Sequence, residues 1–320
     1  MEFVLLIIGF VLLIKFADLF VGASINIAKI FHVSEIVIGA TLVSIGTTLP
    51  ETIVSAISSV EGHGDISYGN AIGSIICNTS LIAGSSLLFA SSKVDKKALK
   101  RISIFFFATF TFYAFIAYTF AGFSRWVGIV LLLIFVLYII VTIKFSNDDN
   151  KKGSEDTISF QSNKYLSAVK SILVLAISAA VIAFASNLLI DSGIKIATRF
   201  GVSESVIGIT IIALGTSLPE FSTAITSIIK GHSSLSIGNI IGANFFNLVT
   251  VSGLAITLNP FNIPVTNTIY GYNKSFVIDL PFALMAMLIM CVPPLITGST
   301  KKWQGLLLII LYIAFLRLQF

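Results

Sequence analysis

Gly46-Thr47-Thr48-Leu49-Pro50-Glu51 lies in the middle of a long apolar run, and Gly215-Thr216-Ser217-Leu218-Pro219-Glu220 repeats it far along the chain. Each puts a proline and a carboxylate where a membrane helix should want neither. Proline has no N–H for the carbonyl four residues back, so Pro50 frees the carbonyl of Gly46 and Pro219 that of Gly215. Backbone oxygens are therefore expected beside Glu51 and Glu220. Helices broken at corresponding places in two halves point to a transporter's midplane site. The chain reads as two copies of one half-site.

The composition supports a membrane setting. Of 320 residues, 56% are hydrophobic and 11% charged, against about 25% charged in a soluble domain. Apolar runs of roughly 20 residues, enough to cross a bilayer core, recur along nearly the whole chain. This predicts an all-α polytopic membrane protein, without the alternating pattern of an outer-membrane barrel. The net charge of +5 reports topology rather than nucleic-acid binding. Cys77 and Cys291 both lie in apolar runs, so no disulfide framework is implied. The first run, from Phe3, has no basic leader or small-residue cleavage site and reads as a retained helix.

Ten spans are expected, at 3–28, 35–60, 68–90, 102–121, 125–145, 166–190, 205–229, 236–258, 275–297 and 303–319. Residues 1–145 form a first five-helix repeat and 166–320 a second, joined by a short hydrophilic cytoplasmic linker at 146–165. With ten spans, one side carries fourteen basic residues in its connections, including Lys93, Lys96, Lys97, Lys100, Arg101, Lys151 and Lys152. The other carries five: Arg125, Lys195, Arg199, Lys274 and Arg317. The rich side should be cytoplasmic, which leaves both termini outside the cytoplasmic membrane. Five is an odd number, so the second repeat starts from the opposite side and is inverted.

The repeat holds at an offset of 169 residues without a gap from about Ala17 to Asn78. Val33-Ser34-Glu35 meets Val202-Ser203-Glu204, Gly39 meets Gly208, and Thr41 meets Thr210. Gly62-His63 meets Gly231-His232, Gly69-Asn70 meets Gly238-Asn239, and Asn78 meets Asn247. The matches are mostly polar or glycine, so shared hydrophobicity does not produce them.

Thr47 and Glu51 are four apart, as are Thr216 and Glu220, and each pair shares a helix face. Asn70, Ser74 and Asn78 follow at four-residue steps, and so do Asn239, Ala243 and Asn247. Folded together, these faces offer two carboxylates, amides, hydroxyls and freed carbonyls, all hard oxygen donors. Ca²⁺ takes six to eight such oxygens, whereas zinc or copper would want His or Cys. Two carboxylates ~5 Å apart repel by about 3 kcal/mol at an effective dielectric of ~20. One Ca²⁺ cancels that charge, as would two monovalent cations or protons. A carrier that changes access only when neutralised exchanges one cation load for another, which is antiport.

Blander readings apply elsewhere. Single Asn and Ser residues in membrane helices usually bond neighbouring helices, and Gly69-x-x-x-Gly73 and Gly238-x-x-x-Gly242 read as packing glycines. Lys15 and Asp18 read as a structural ion pair or interface residues, His63 and His232 as turn residues, and Cys77 as packing. Asp191 and Asp279 are given no role.

At Gly39–Glu51 with Gly69–Asn78, and at Gly208–Glu220 with Gly238–Asn247, the chain resembles the calcium/cation antiporter superfamily, in its prokaryotic-type sodium/calcium exchanger branch. The ten-span layout is similar too, so the resemblance covers essentially the whole chain. It implies Ca²⁺ binding by Glu51 and Glu220 with the carbonyls of Thr47 and Thr216. It implies that Na⁺ uses the same carboxylates with Thr48, Ser74, Ser217 and the carbonyls of Ser44 and Ala213, while Asn78 and Asn247 line the centre. It also implies three Na⁺ exchanged for one Ca²⁺, with spans 1 and 6 sliding to switch access. Asn247 replaces the Asp of the potassium-dependent branch, which argues against K⁺ co-transport. Ala243 lacks the hydroxyl of its counterpart Ser74, so the resemblance implies one Na⁺ position that is weaker or completed by water.

The expected function is Na⁺/Ca²⁺ antiport by alternating access at a shared midplane site. The partners are small inorganic cations and the lipid bilayer, with no cofactor, no nucleic acid and no obligatory protein partner, a monomer being sufficient. A Ca²⁺/H⁺ exchanger on the same scaffold is the nearest alternative, and a cation channel the next. An enzyme is not expected, since no His-Glu-x-x-His is present and no midplane histidine could serve as a base.

Overall fold

The computed structural model describes residues 2–151, 161–200, 213–264, 268–269 and 271–319. Its elements are α1 (Glu2–Phe31), a bent pair α2 (Glu35–Thr47) and α3 (Leu49–Val60), α4 (Gly64–Phe89), α5 (Lys96–Phe120) and α6 (Arg125–Lys151). There follow α7 (Gln161–Arg199), a second pair α8 (Ala213–Thr216) and α9 (Leu218–Ile229), α10 (Ser233–Leu258), α11 (Ser275–Thr297) and α12 (Lys302–Gln319). Among the described residues, eight helices are long and apolar enough to cross a membrane, or nine if α2 and α3 make one bent span. The expected span at 205–229 falls partly outside the described residues. So do Val202, Ser203, Glu204, Gly208 and Thr210 of the repeat.

Charge and burial separate the long helices into two kinds. α4 and α10 carry the polar and glycine-rich motifs and are mostly buried, whereas α1, α6, α7 and α12 are largely exposed apolar surface. In a bilayer that exposed surface faces lipid, so hydrophobicity alone does not assemble the bundle and close packing and hydrogen bonds must. α1 and α7 pack along each other through Leu13, Ala17, Phe20, Ile182, Ala185 and Leu189. The larger core gathers α4, α5, α6, α10 and α11 around Tyr138, Phe245 and Phe246, whose rings meet edge-on or tilted.

α2 and α10 cross almost backbone to backbone. A Cβ on Gly238 would run into the carbonyl oxygen of Ile36, and one on Gly242 would lie 2.6 Å from the Cα of Ala40. The reading of Gly238 and Gly242 as packing glycines holds. Gly69 and Gly73 have no neighbour within 4 Å of such a Cβ among the described residues.

Wide π-turns interrupt the polar helices, at Gly39–Val43, Cys77–Ala83 and Asn247–Val251. Such turns loosen the regular backbone ladder and recur at functional sites. At the first, the hydroxyl of Tyr138 donates to the carbonyl of Ala40 at 2.9 Å. The expected linker is partly helical, since α6 runs on to Lys151 and α7 starts at Gln161.

Candidate ion-binding site

The two proline breaks take the same shape. Thr48, ahead of α3, has φ −87° and ψ 2°, and Ser217, ahead of α9, has φ −91° and ψ 7°. Pro50 and Pro219 sit in the first turn of their helices, where a missing N–H costs nothing. The first break bends the chain by 46° between α2 and α3. Glu51 and Glu220 are thereby delivered as the third residue of a helix, in its first turn, where the positive end of the helix dipole favours a carboxylate.

Both carboxylates are buried, and all four of their oxygens lack a hydrogen-bond partner among the described residues. The two lie within electrostatic reach of each other. The hydroxyl of Thr47 lies beside Glu220, which joins the first half to the second. The amides of Asn78 and Asn247 and the hydroxyl of Ser217 are also buried and unpartnered among the described residues. Orphaned buried polar groups cost about 1–3 kcal/mol each, more when charged. A concentration of them in one interior indicates a ligand whose charge and coordination offset that cost.

The surrounding groups are well tied down. Thr47 Oγ1 lies 3.3 Å from Asn239 Oδ1, and Asn239 Nδ2 donates to Thr223 Oγ1 at 2.9 Å. Thr223 in turn donates to the carbonyl of Pro219 at 2.9 Å, so the chain of bonds returns to the second break. In the first half, Asn70 Nδ2 donates to the carbonyl of Glu51 at 3.1 Å and to Ser55 Oγ at 2.8 Å. Asn70 and Asn239 thus brace the broken segments, and the side-chain amides left wholly unpartnered among the described residues are those of Asn78 and Asn247.

Of the other expected site residues, Ser44, Thr48 and Ser74 are buried. The carbonyl of Ser44 accepts from Thr48 Oγ1 at 2.6 Å and from the Thr48 N–H at 3.0 Å. Thr216 is half-buried, and Ala213 begins α8. Among the described residues no three His, Cys, Asp or Glu side chains cluster to hold a metal, so a cation here would depend on amide, hydroxyl and carbonyl oxygens as well as the two acids.

Two features escaped the sequence reading. The thiol of Cys77, expected only to pack, sits beside the hydroxyls of Ser217 and Tyr312 and within electrostatic reach of both carboxylates. Asn244 reaches across to Thr79 of the neighbouring π-turn at 2.6 Å. Adjacency to Asn78 and a three-residue step from Asn247 were the available signals. Of the two readings of Lys15 and Asp18, ion pair or interface, Asp18 takes the second: it pairs with Lys230, at 2.8 Å and 212 positions away, because the loop after α9 folds against α1. His63 and His232 do stand in matched turns, after Gly62 and Gly231 at φ +89° and +81°, and His232 Nδ1 also contacts Glu35 Oε1 at 2.6 Å.

A helical, membrane-spanning bundle with a buried, oxygen-lined acidic centre is a cation-handling membrane protein. The family model described as sodium/calcium exchanger protein matches residues 1–144 and 170–320, and the chain belongs to that family. It is 33% identical over 284 residues to the inner membrane protein YrbG of Escherichia coli, covering 88% of this chain and 87% of that one. It is 30% identical over 349 residues to the sodium/calcium exchanger MaX1 of Methanosarcina acetivorans, covering 98% and 97%. A solved structure of the sodium-calcium exchanger NCX_Mj, soaked with 10 mM Na⁺ and zero Ca²⁺, superposes with a TM-score of 0.82 at 32% identity, over 98% of this chain and 97% of that one.

Proposed function

We infer that the chain is a Na⁺/Ca²⁺ antiporter of the cell membrane, and that Glu51 and Glu220 carry its exchange site. The observation behind the site is the pair of buried carboxylates, within electrostatic reach of each other and without a protein hydrogen bond among the described residues. Family membership and the likeness to NCX_Mj and MaX1 support the ions.

Ca²⁺ is held by Glu51 and Glu220 with the carbonyls of Thr47 and Thr216. Na⁺ occupies the same carboxylates with Thr48, Ser74, Ser217 and the carbonyls of Ser44 and Ala213. Asn78 and Asn247 close the centre. With both acids ionised the empty site carries two negative charges in a low-dielectric interior, so crossing unloaded is disfavoured. One Ca²⁺ removes that charge, and Na⁺ ions entering the same oxygens do so in turn, which couples the two fluxes.

The matched breaks, the matched turns at Gly62 and Gly231, and the repeat in the sequence support two five-helix halves, 1–145 and 166–320, in ten spans of inverted order. The excess of Lys and Arg on the linker side supports a cytoplasmic linker and extracytoplasmic termini. The separate packing of α1 against α7 supports a pair that slides past the remaining helices.

Purified protein in liposomes, given an outward or inward Na⁺ gradient and ⁴⁵Ca²⁺, tests the function. Ca²⁺ uptake should follow the Na⁺ gradient and vanish when Na⁺ is equal on both sides. Uptake driven by a pH gradient alone would replace this reading with Ca²⁺/H⁺ exchange.

A further inference from the structure

A second polar cavity lies at the end of the bundle where α4 and α11 begin and α12 ends. It has a volume of 220 Å³ and is lined by Asp65, Tyr68, Lys274, Ser275, Asp279 and Gln319, among others. Asp65, Tyr68 and Gly69 share one face of α4 at steps of three and four. With 3.6 residues per turn, that face is turned well away from the one carrying Asn70, Ser74 and Asn78. The cavity is therefore separate from the central carboxylates.

Its chemistry is that of a hard-cation site. Tyr68 is 2% exposed, and its hydroxyl, which lines the cavity beside the side chain of Ser275, makes no well-aligned hydrogen bond among the described residues. Asp279 is half-buried, and Oδ1 accepts from Gln319 Nε2 at 2.7 Å. Among the described residues of the wall the one cation is Lys274, which directs its ammonium to the carbonyl of Gln319 at 3.0 Å, at the negative end of the α12 dipole and within electrostatic reach of Asp279. Asp65 and Asp279 against Lys274 leave the lining with a net charge of −1. Further oxygens include those of Tyr68, of Ser275, whose side chain stands between Tyr68 and Asp279, and of the Pro264 carbonyl, which already accepts from Asn273 Nδ2 at 2.8 Å.

We propose that this cavity is a second cation-binding site, taking a partly hydrated Ca²⁺ between Asp279, Asp65 and Tyr68. A water occupies about 30 Å³, so the volume suits an ion that keeps several waters rather than a dehydrated one. Ca²⁺ accepts six to eight oxygens in flexible geometry, water included, whereas few protein ligands of low net charge give affinities on the order of 10⁻⁴–10⁻³ M. The site ties the starts of α4 and α11 to the end of α12, so an ion here braces that end of the bundle. It stands on its own residues and does not depend on the assignment of the exchange site.

The test is Ca²⁺ binding to the full chain by equilibrium dialysis with ⁴⁵Ca²⁺, carried to about 10 mM, well above the expected range. In a chain carrying Glu51→Gln and Glu220→Gln, one Ca²⁺ per chain should remain bound, and adding Asp279→Asn should remove it. Tyr68→Phe in the same background should weaken it several-fold. If the double-Gln chain is not monodisperse, Asp279→Asn alone in the otherwise intact chain should lower the bound Ca²⁺ by one per chain while Na⁺-driven uptake at saturating Ca²⁺ persists. Residual binding that ignores Asp279→Asn, or no residual binding in a monodisperse double-Gln chain, overturns the proposal.

Discussion

Asn244 donates from Nδ2 to Oγ1 of Thr79 at 2.6 Å, and both groups also contact the sulfur of Met287, at 3.2 and 3.3 Å. Thr79 follows Asn78 in one π-turn, and Asn244 precedes Asn247, the first residue of another, by three positions. One buried hydrogen bond therefore sets the spacing of the two segments that carry the unpartnered central amides. The position matching Asn244 in the sequence repeat is Ile75, which has no amide to make the equivalent link.

Asn244→Leu should raise the KM for Ca²⁺ about five- to tenfold, the scale of one buried hydrogen bond near 1 kcal/mol. Thr79→Val should do the same. Because the two groups act as one link, the double variant should be no worse than either single one. Concentration-dependent ⁴⁵Ca²⁺ uptake measures this, and additive losses would show that the bond does not hold the centre together.

Glu51→Gln and Glu220→Gln should each abolish Na⁺-driven Ca²⁺ uptake, because each removes half of the binding charge. The same variants should melt at the wild-type temperature or above it in buffer free of Na⁺ and Ca²⁺. A buried amide is cheaper to desolvate than a buried carboxylate that has no partner. Uptake and thermal melting in detergent separate the two effects. Normal transport by either variant would remove that carboxylate from the site.

Gly242→Val should destabilise the bundle by about 1–3 kcal/mol through overpacking. Its Cβ would meet Ser44 Oγ and the backbone of Ala40, and neither neighbour can withdraw without parting α2 from α10. Gly231→Ala is the control. Nothing lies within 4 Å of the added carbon, but φ is +81°, so its cost should be about 1 kcal/mol from the left-handed backbone alone. Equal losses in the two variants would mean that the close crossing carries no stability.

What was legible in the sequence was local. Pro50 and Pro219 announce breaks because a missing N–H acts four residues away, and the steps from Asn70 to Asn78 announce a face because helix geometry is fixed. The same logic placed the long helices and joined the two acids into one reading. What stayed hidden depends on which faces meet. The partner of Asp18 is Lys230, Ser59 donates to the carbonyl of Ala255 at 2.6 Å, and Asn244 finds Thr79 across 165 positions. No periodicity encodes those pairs. The π-turns left no periodic mark in the sequence either, and at the first of them Ala40 finds its partner, the Tyr138 hydroxyl, 98 positions away. The proximity of Cys77 to Ser217 required the crossing of α4 with the second break, which composition does not give.

Asn247→Asp should change how the cargo is chosen. Asn247 is fully buried, and both atoms of its amide are unpartnered among the described residues. A carboxylate there would add a third negative charge to Glu51 and Glu220. At an effective dielectric of ~20, each new pair at ~5 Å costs about 3 kcal/mol in the empty site. One Ca²⁺ would no longer neutralise the centre, and a further monovalent cation would have to accompany it before access could change. Ca²⁺ should therefore bind more tightly while its maximal uptake falls, and added Na⁺ or K⁺ on the Ca²⁺ side should restore the rate. Uptake measured against Ca²⁺ concentration, with and without the monovalent ion, checks both halves of this expectation. An unaltered KM and an unaltered maximal rate would reduce Asn247 to a packing residue.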